Sequence, residues 1–123
     1  MIRSEPLGSQ EWLDDKSKEC YKNDIPLRLH ACGDGAVRMA LDAYEAARKE
    51  YGDKDVRNTI EHIEVLHPDD LDRFAETNTI ASIQPCHILM ETLEGHPIFS
   101  MLPPDRVKLA WPGKSLARAG AVV

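Results

Sequence analysis

Two short strand-like runs, each carrying a histidine near its end, constrain this chain more than any other feature. The first is Ile25–Cys32, closed by the turn Gly33-Asp34-Gly35. Alternation puts Leu27, Leu29 and Ala31 on one face and Arg28, His30 and Cys32 on the other. A helix follows, with Val37, Ala40, Leu41, Tyr44 and Ala47 as its apolar stripe and Arg38, Asp42, Glu45, Arg48 and Lys49 toward water. Asp34 reads as its N-cap and Gly52 as its stop. The second run is Asn58–Val65, with Asn58, Ile60 and His62 on one face and Thr59, Glu61 and Ile63 on the other. Strand, helix, strand predicts parallel pairing through a right-handed crossover. His30 and His62 then stand at the carboxyl ends of neighbouring strands, where parallel α/β proteins gather ligands. They are 32 positions apart. An eight-unit barrel of ~250 residues allots about 31 to each unit, and a doubly wound sheet shows the same rhythm.

The remaining segments extend the pattern. Ser9 as N-cap, Glu11 in the first turn and Trp12, Leu13, Lys16 and Cys20 at helical spacing predict a helix over 10–22. Pro68 opens a short helix with Asp69 and Asp70 in its first turn and Leu71, Phe74 and Ala75 on its buried side. Thr79–Gln84 is a third strand, stopped by Pro85. Beyond it the pattern predicts a short helix near Ile88–Leu93, a loop through Gly95, Pro97, Pro103 and Pro104, and helical pieces at Asp105–Ala110 and Ser115–Ala119. Ala119–Val123 reads as a helix C-cap and the first residues of another strand. A strand that short leads us to expect that 1–123 is a single incomplete domain.

Composition excludes some functions. A net charge of −6 without a basic stripe argues against nucleic acid. No run approaches the ~18 apolar residues of a membrane span. The first residues lack the apolar centre of a signal peptide, so a cytoplasmic location is expected. Cys20, Cys32 and Cys86 are odd in number and widely spaced, which predicts free thiols.

Two imidazoles at adjacent strand ends can share one divalent metal, zinc foremost, because neutral imidazole is a borderline ligand. The same histidines also fit a structural role in a non-catalytic α/β interaction module. Glu61 falls on the face opposite His62 by parity and reads as a structural ion-pair partner. Asp34 reads as a cap, with orientation of His30 as the alternative. Gln84 shares a face with Ser82 and Ile80; it points into a pocket or is a buried amide bonded to backbone. His87, after Pro85, is a substrate contact or a solvent-exposed side chain. A thiol hydrolase using Cys32 or Cys86 would require a low-pKa cysteine, whereas a small buried thiol is the commoner use.

Leu29-His30-Ala31-Cys32-Gly33-Asp34, Ile60-Glu61-His62 and Ser82-Ile83-Gln84-Pro85-Cys86-His87 resemble, in order and spacing, motifs of the amidohydrolase superfamily. The branch they are most similar to is amidohydrolase family three, with N-substituted formamide deformylases and predicted metal-dependent hydrolases. Asp69-Asp70-Leu71-x-Arg73-Phe74 and the Trp111…Ser115-Leu116-x-x-Ala119-Gly120 tail resemble it too. The resemblance implies an α/β fold, part of a (β/α)8 TIM barrel, from strand 5 to the start of strand 8. His30 would be the metal ligand ending the fifth strand and His62 the one ending the sixth. Gln84 and His87 would lie near substrate after the seventh. The first-strand histidine pair and the fourth-strand metal bridge would lie upstream of Met1, and the eighth-strand aspartate beyond Val123. Cys86 stands where the family usually has threonine. The resemblance thus implies hydrolysis of a small amide or related C–N substrate by the whole enzyme. The chain alone would be inactive, with no catalytic residue of its own, and would form a homo-oligomer through its exposed half-barrel edges.

Overall fold

The computed structural model describes residues 5–89 and 97–123. Its centre is a parallel sheet in the order β1 (Arg28–Ala31), β2 (Thr59–His62), β3 (Ile80–Ser82). Leu29 pairs with Ile60 and Ile60 with Ala81. The strands are shorter than alternation suggests. Leu27 gives its N–H to the buried Asn58 side chain at 2.9 Å instead of to the ladder. β2 stops because His62 (φ 81°) and Ile63 (φ 50°) turn left-handed.

The first helix, α1, is Gln10–Lys22, and Ser9 caps it by accepting from the Trp12 N–H at 3.2 Å. Its buried face is Ser17 and Tyr21; Trp12, expected on the apolar stripe, is exposed and lies over Gly8. Tyr21 decides this orientation. Its hydroxyl donates to the Gly52 carbonyl at 3.1 Å and accepts from the Lys54 N–H at 3.0 Å, while its ring packs with Ala47 and Val56.

The crossover helix, α2 (Asp34–Tyr51), lies between α1 and the sheet. Val37, Ala40, Leu41 and Tyr44 pack on Ala31, Ile60, Ile63 and Ala81 to form the main core, as the stripe predicts. Tyr44 is buried, and its hydroxyl donates to the Thr59 carbonyl at 3.0 Å. Burial pushes this phenol above its ordinary pKa. The N-cap is Gly33, with Asp34 in the first turn, which corrects the expected cap by one residue. Gly52 (φ 75°) ends the helix and donates its N–H to Arg48 at 2.8 Å.

Pro68–Asp70 forms a single 3-10 turn before α3 (Arg73–Glu76). Phe74 is buried, whereas Ala75 is exposed. Asp70 is also buried, and its carboxylate takes both Arg38 of α2 and Arg73 of α3. After β3 come α4 (Cys86–Leu89), α5 (Pro97–Met101), α6 (Pro104–Val107) and α7 (Gly113–Arg118). α5 is helical where a loop is expected, while α6 meets the helical piece expected from Asp105 but starts one residue earlier; proline at the first turn of α6 leaves no hydrogen bond unmade. The later part of the expected Ile88–Leu93 helix, and Gly95, lie outside the described residues. The chain end returns to the sheet. Val122 bridges Ile80 in parallel and accepts from the Ala81 N–H at 2.8 Å, so the expected start of another strand is present. Among the described residues, no helix is long and apolar enough to cross a membrane.

Candidate metal centre

Residues in register on a parallel sheet share a face. His30 is in register with Glu61, and Ala31 with His62. Glu61 therefore stands on the face of His30, and simple alternation would send the His62 ring to the other side. The left-handed backbone at His62 and Ile63 cancels that alternation. It swings the ring past the end of β2, until its Nε2 lies 2.8 Å from His30 Nδ1. The two rings are 4.9 Å apart between centroids, tilted by 48°. Sequence parity alone missed this, because it assumes an extended backbone up to the last residue.

Glu61, in register with His30, is buried, and its carboxylate accepts from Ser82 Oγ and Gln84 Nε2, each at 2.7 Å. Arg28 Nε is 3.2 Å away on its exposed side. These donors, the Ser82 hydroxyl foremost, hold the carboxyl below its ordinary pKa. The Gln84 amide NH2 bonds the Glu61 side chain, not the backbone. Glu61 keeps its expected ion-pair role, with Arg28 as partner.

His87 comes from α4 and stacks on the His62 ring at 5.6 Å. Its Nδ1 is 3.5 Å from Glu64 Oε1. Cys32 Sγ, one nitrogen of His62 and a Glu64 carboxylate oxygen all lie within 4.8 Å of one another. Cys32 is exposed as a residue, but loss of water around its sulfur first, and Glu64 second, push its thiol above its ordinary pKa, opposite to what a thiol nucleophile requires. Glu64 escaped the motif reading. The signal available was its position two after His62, matching Cys32 two after His30.

Asp34 is not part of this group. Its carboxylate accepts from the Gly35 N–H at 2.8 Å and pairs with Arg106 of α6, so it ties the start of α2 to the later helices rather than orienting His30.

Imidazoles thus gather at the carboxyl ends of parallel strands in a mixed α/β module, and solved metal-dependent hydrolases share its fold. The chain belongs to the amidohydrolase family, whose model matches residues 3–123. It is similar to the crystal structure of an uncharacterized metal-dependent hydrolase from Pyrococcus furiosus, with a TM-score of 0.75 and 25% identity over 96% of this chain. A second uncharacterized metal-dependent hydrolase, from Pyrococcus horikoshii OT3, shares the fold at a TM-score of 0.73 and 24% identity over 92% of this chain. The protein LONG AFTER FAR-RED 3 of Arabidopsis thaliana is 41% identical over 79 residues, 64% of this chain. The chain spans 23% and 21% of the two archaeal proteins and 14% of the plant one.

Proposed function

We propose that this chain is the segment of a metal-dependent amidohydrolase barrel running from its fifth strand to the start of its eighth, one incomplete domain over 1–123. The observation that carries the reading is the facing pair His30 Nδ1 and His62 Nε2, 2.8 Å apart on neighbouring strands. Their donor chemistry fits a divalent ion, since two imidazole nitrogens converge on one point beside the buried Glu61 carboxylate. His30 and His62 would hold the ion, zinc by preference. Such an ion supplies Lewis acidity toward an amide carbonyl and activation of water. Glu61 keeps Ser82 and Gln84 fixed at the floor. Gln84 and His87 line the substrate side, with a small amide or related C–N compound as substrate of the whole enzyme.

A catalytic zinc site uses three protein ligands and a general acid–base group, of which this reading finds two ligands here. The isolated chain is therefore inactive in this proposal, and its exposed sheet edge pairs with a second copy in a cytoplasmic homo-oligomer. Crystals soaked in zinc test the centre. An anomalous peak within ~2.2 Å of both His30 and His62 nitrogens is expected, and it disappears in His30→Ala. A zinc-soaked crystal with no peak at this pair refutes the metal reading. Metal-dependent amide turnover by the isolated chain refutes the inactivity.

A further inference from the structure

We infer that Cys32, His62 and Glu64 form a second cation site, which shares His62 with the His30–His62 pair and is suited to a borderline or soft divalent ion. The three donor atoms lie within 4.8 Å of one another. They come from different segments: Cys32 follows β1, His62 ends β2, and Glu64 lies just beyond the left-handed turn.

The tautomer of His62 makes the case. A neutral imidazole carries one N–H and one lone pair. With Nε2 as donor, His62 gives its proton to His30 Nδ1 across the observed 2.8 Å. The lone pair then sits on Nδ1. This atom is buried and has no hydrogen-bond partner among the described residues. A buried acceptor without a partner costs roughly 1–3 kcal/mol, and a cation held between Nδ1, the Cys32 sulfur and the Glu64 carboxylate removes that penalty. The His62-to-His30 hydrogen bond is then the outer contact that fixes a ligating ring, as metal-bound histidines ordinarily require.

The charges balance as well. A divalent ion displaces the Cys32 thiol proton to solvent, so thiolate, carboxylate and neutral imidazole together compensate it. Sulfur, nitrogen and oxygen donors in this mixture suit zinc or cadmium rather than magnesium or calcium. His87, stacked on His62 with Nδ1 at 3.5 Å from Glu64, is placed to close the shell as a fourth donor.

This inference does not depend on the proposed function. The lone pair of His62 serves either Nε2 toward the His30 pair or Nδ1 toward Cys32, so the two sites compete for one ring.

Cadmium chloride added to the reduced full chain tests it, read as thiolate-to-cadmium charge-transfer absorbance. One saturating band at one equivalent is expected. It is unchanged in Cys86→Ser, persists in His30→Ala but needs about tenfold more cadmium there, disappears in Cys32→Ser, and needs about tenfold or more cadmium in Glu64→Gln. Cys32 is exposed, so serine there leaves the packing intact, and circular dichroism verifies the fold of each variant. A band that survives Cys32→Ser, or the lack of any band, overturns the inference. Cadmium binding without a thiolate band, lost in His30→Ala, also overturns it while supporting the two-histidine centre.

Discussion

Replacing Asp70 with asparagine tests whether the outer layer is fastened by charge or by packing. The Asp70 side chain is 1% exposed. Its carboxylate takes Arg73 Nη1 at 2.8 Å and Arg38 Nε at 3.0 and 3.2 Å. Asparagine keeps the volume, removes the charge and turns an NH2 toward guanidinium N–H groups. Hydrogen bonds to charged partners contribute roughly 1.5–3 kcal/mol each. Arg38 is 42% exposed, so water screens its share to below ~1 kcal/mol. Arg73 is 17% exposed but keeps Asp42 and Glu45, each at 2.6 Å, so its charge is not orphaned. The net loss is then about 2–3 kcal/mol, under the ~3–5 kcal/mol of a buried pair left with one member. Urea unfolding measures it directly, and the thermal midpoint falls by on the order of 10 °C. Asp42→Asn is the control. Asp42 is 47% exposed, and its loss should cost under ~1 kcal/mol. If Asp70→Asn stays within ~0.5 kcal/mol of the parent, or if both variants cost the same, burial of Asp70 does not govern the network.

At His62, glycine should be more stable than alanine by about 1–2 kcal/mol, because the left-handed backbone penalises any Cβ; ordinary strand ranking, with alanine ahead in urea titrations, would refute the strain. Glu61 has a depressed folded pKa, so its stabilisation is complete above the unfolded carboxylate pKa and fades as pH falls through the folded value. Glu61→Gln should therefore flatten the acid limb of a stability–pH profile, and an unchanged limb would contradict the assignment. Tyr44→Phe removes a buried hydroxyl that joins α2 to β2 and should cost about 1 kcal/mol in chemical denaturation; a neutral result would mean that the hydroxyl carries no net stabilisation.

The frame of the module was legible because its signals are local and periodic. The stripe Val37–Ala47 is buried as its spacing predicts, and the runs around Leu29 and Ile60 form neighbouring parallel strands packed against it. The site was legible in its residue types, and less so in their directions. No glycine marks the left-handed turn at His62 and Ile63, so nothing in the pattern shows that the alternation breaks there. The Asp34 cap gave way to a partner 72 positions away, Arg106, and such long-range charge pairing leaves no periodic trace. Trp12 followed the helical spacing yet faces water, because Tyr21 fixes the rotation of α1 by hydrogen bonds to Gly52 and Lys54.

The pairing of β1 with β2 also has a kinetic side. Arg28 meets Thr59 only after the whole of α2 has been spanned, and Thr59 meets Ile80 across a second loop. Closing such loops is slow relative to forming helices. We expect α1 and α2 to dock early and the strand ends to join late. The Ile63 N–H, bonded to Ala31 at 3.0 Å, reports on that last closure. Ile63→Val should then speed unfolding and leave the folding rate nearly unchanged; a matching slowdown in folding would reverse this order. On this pathway the histidines meet when the rest of the core has condensed, and they are the first to part when it loosens.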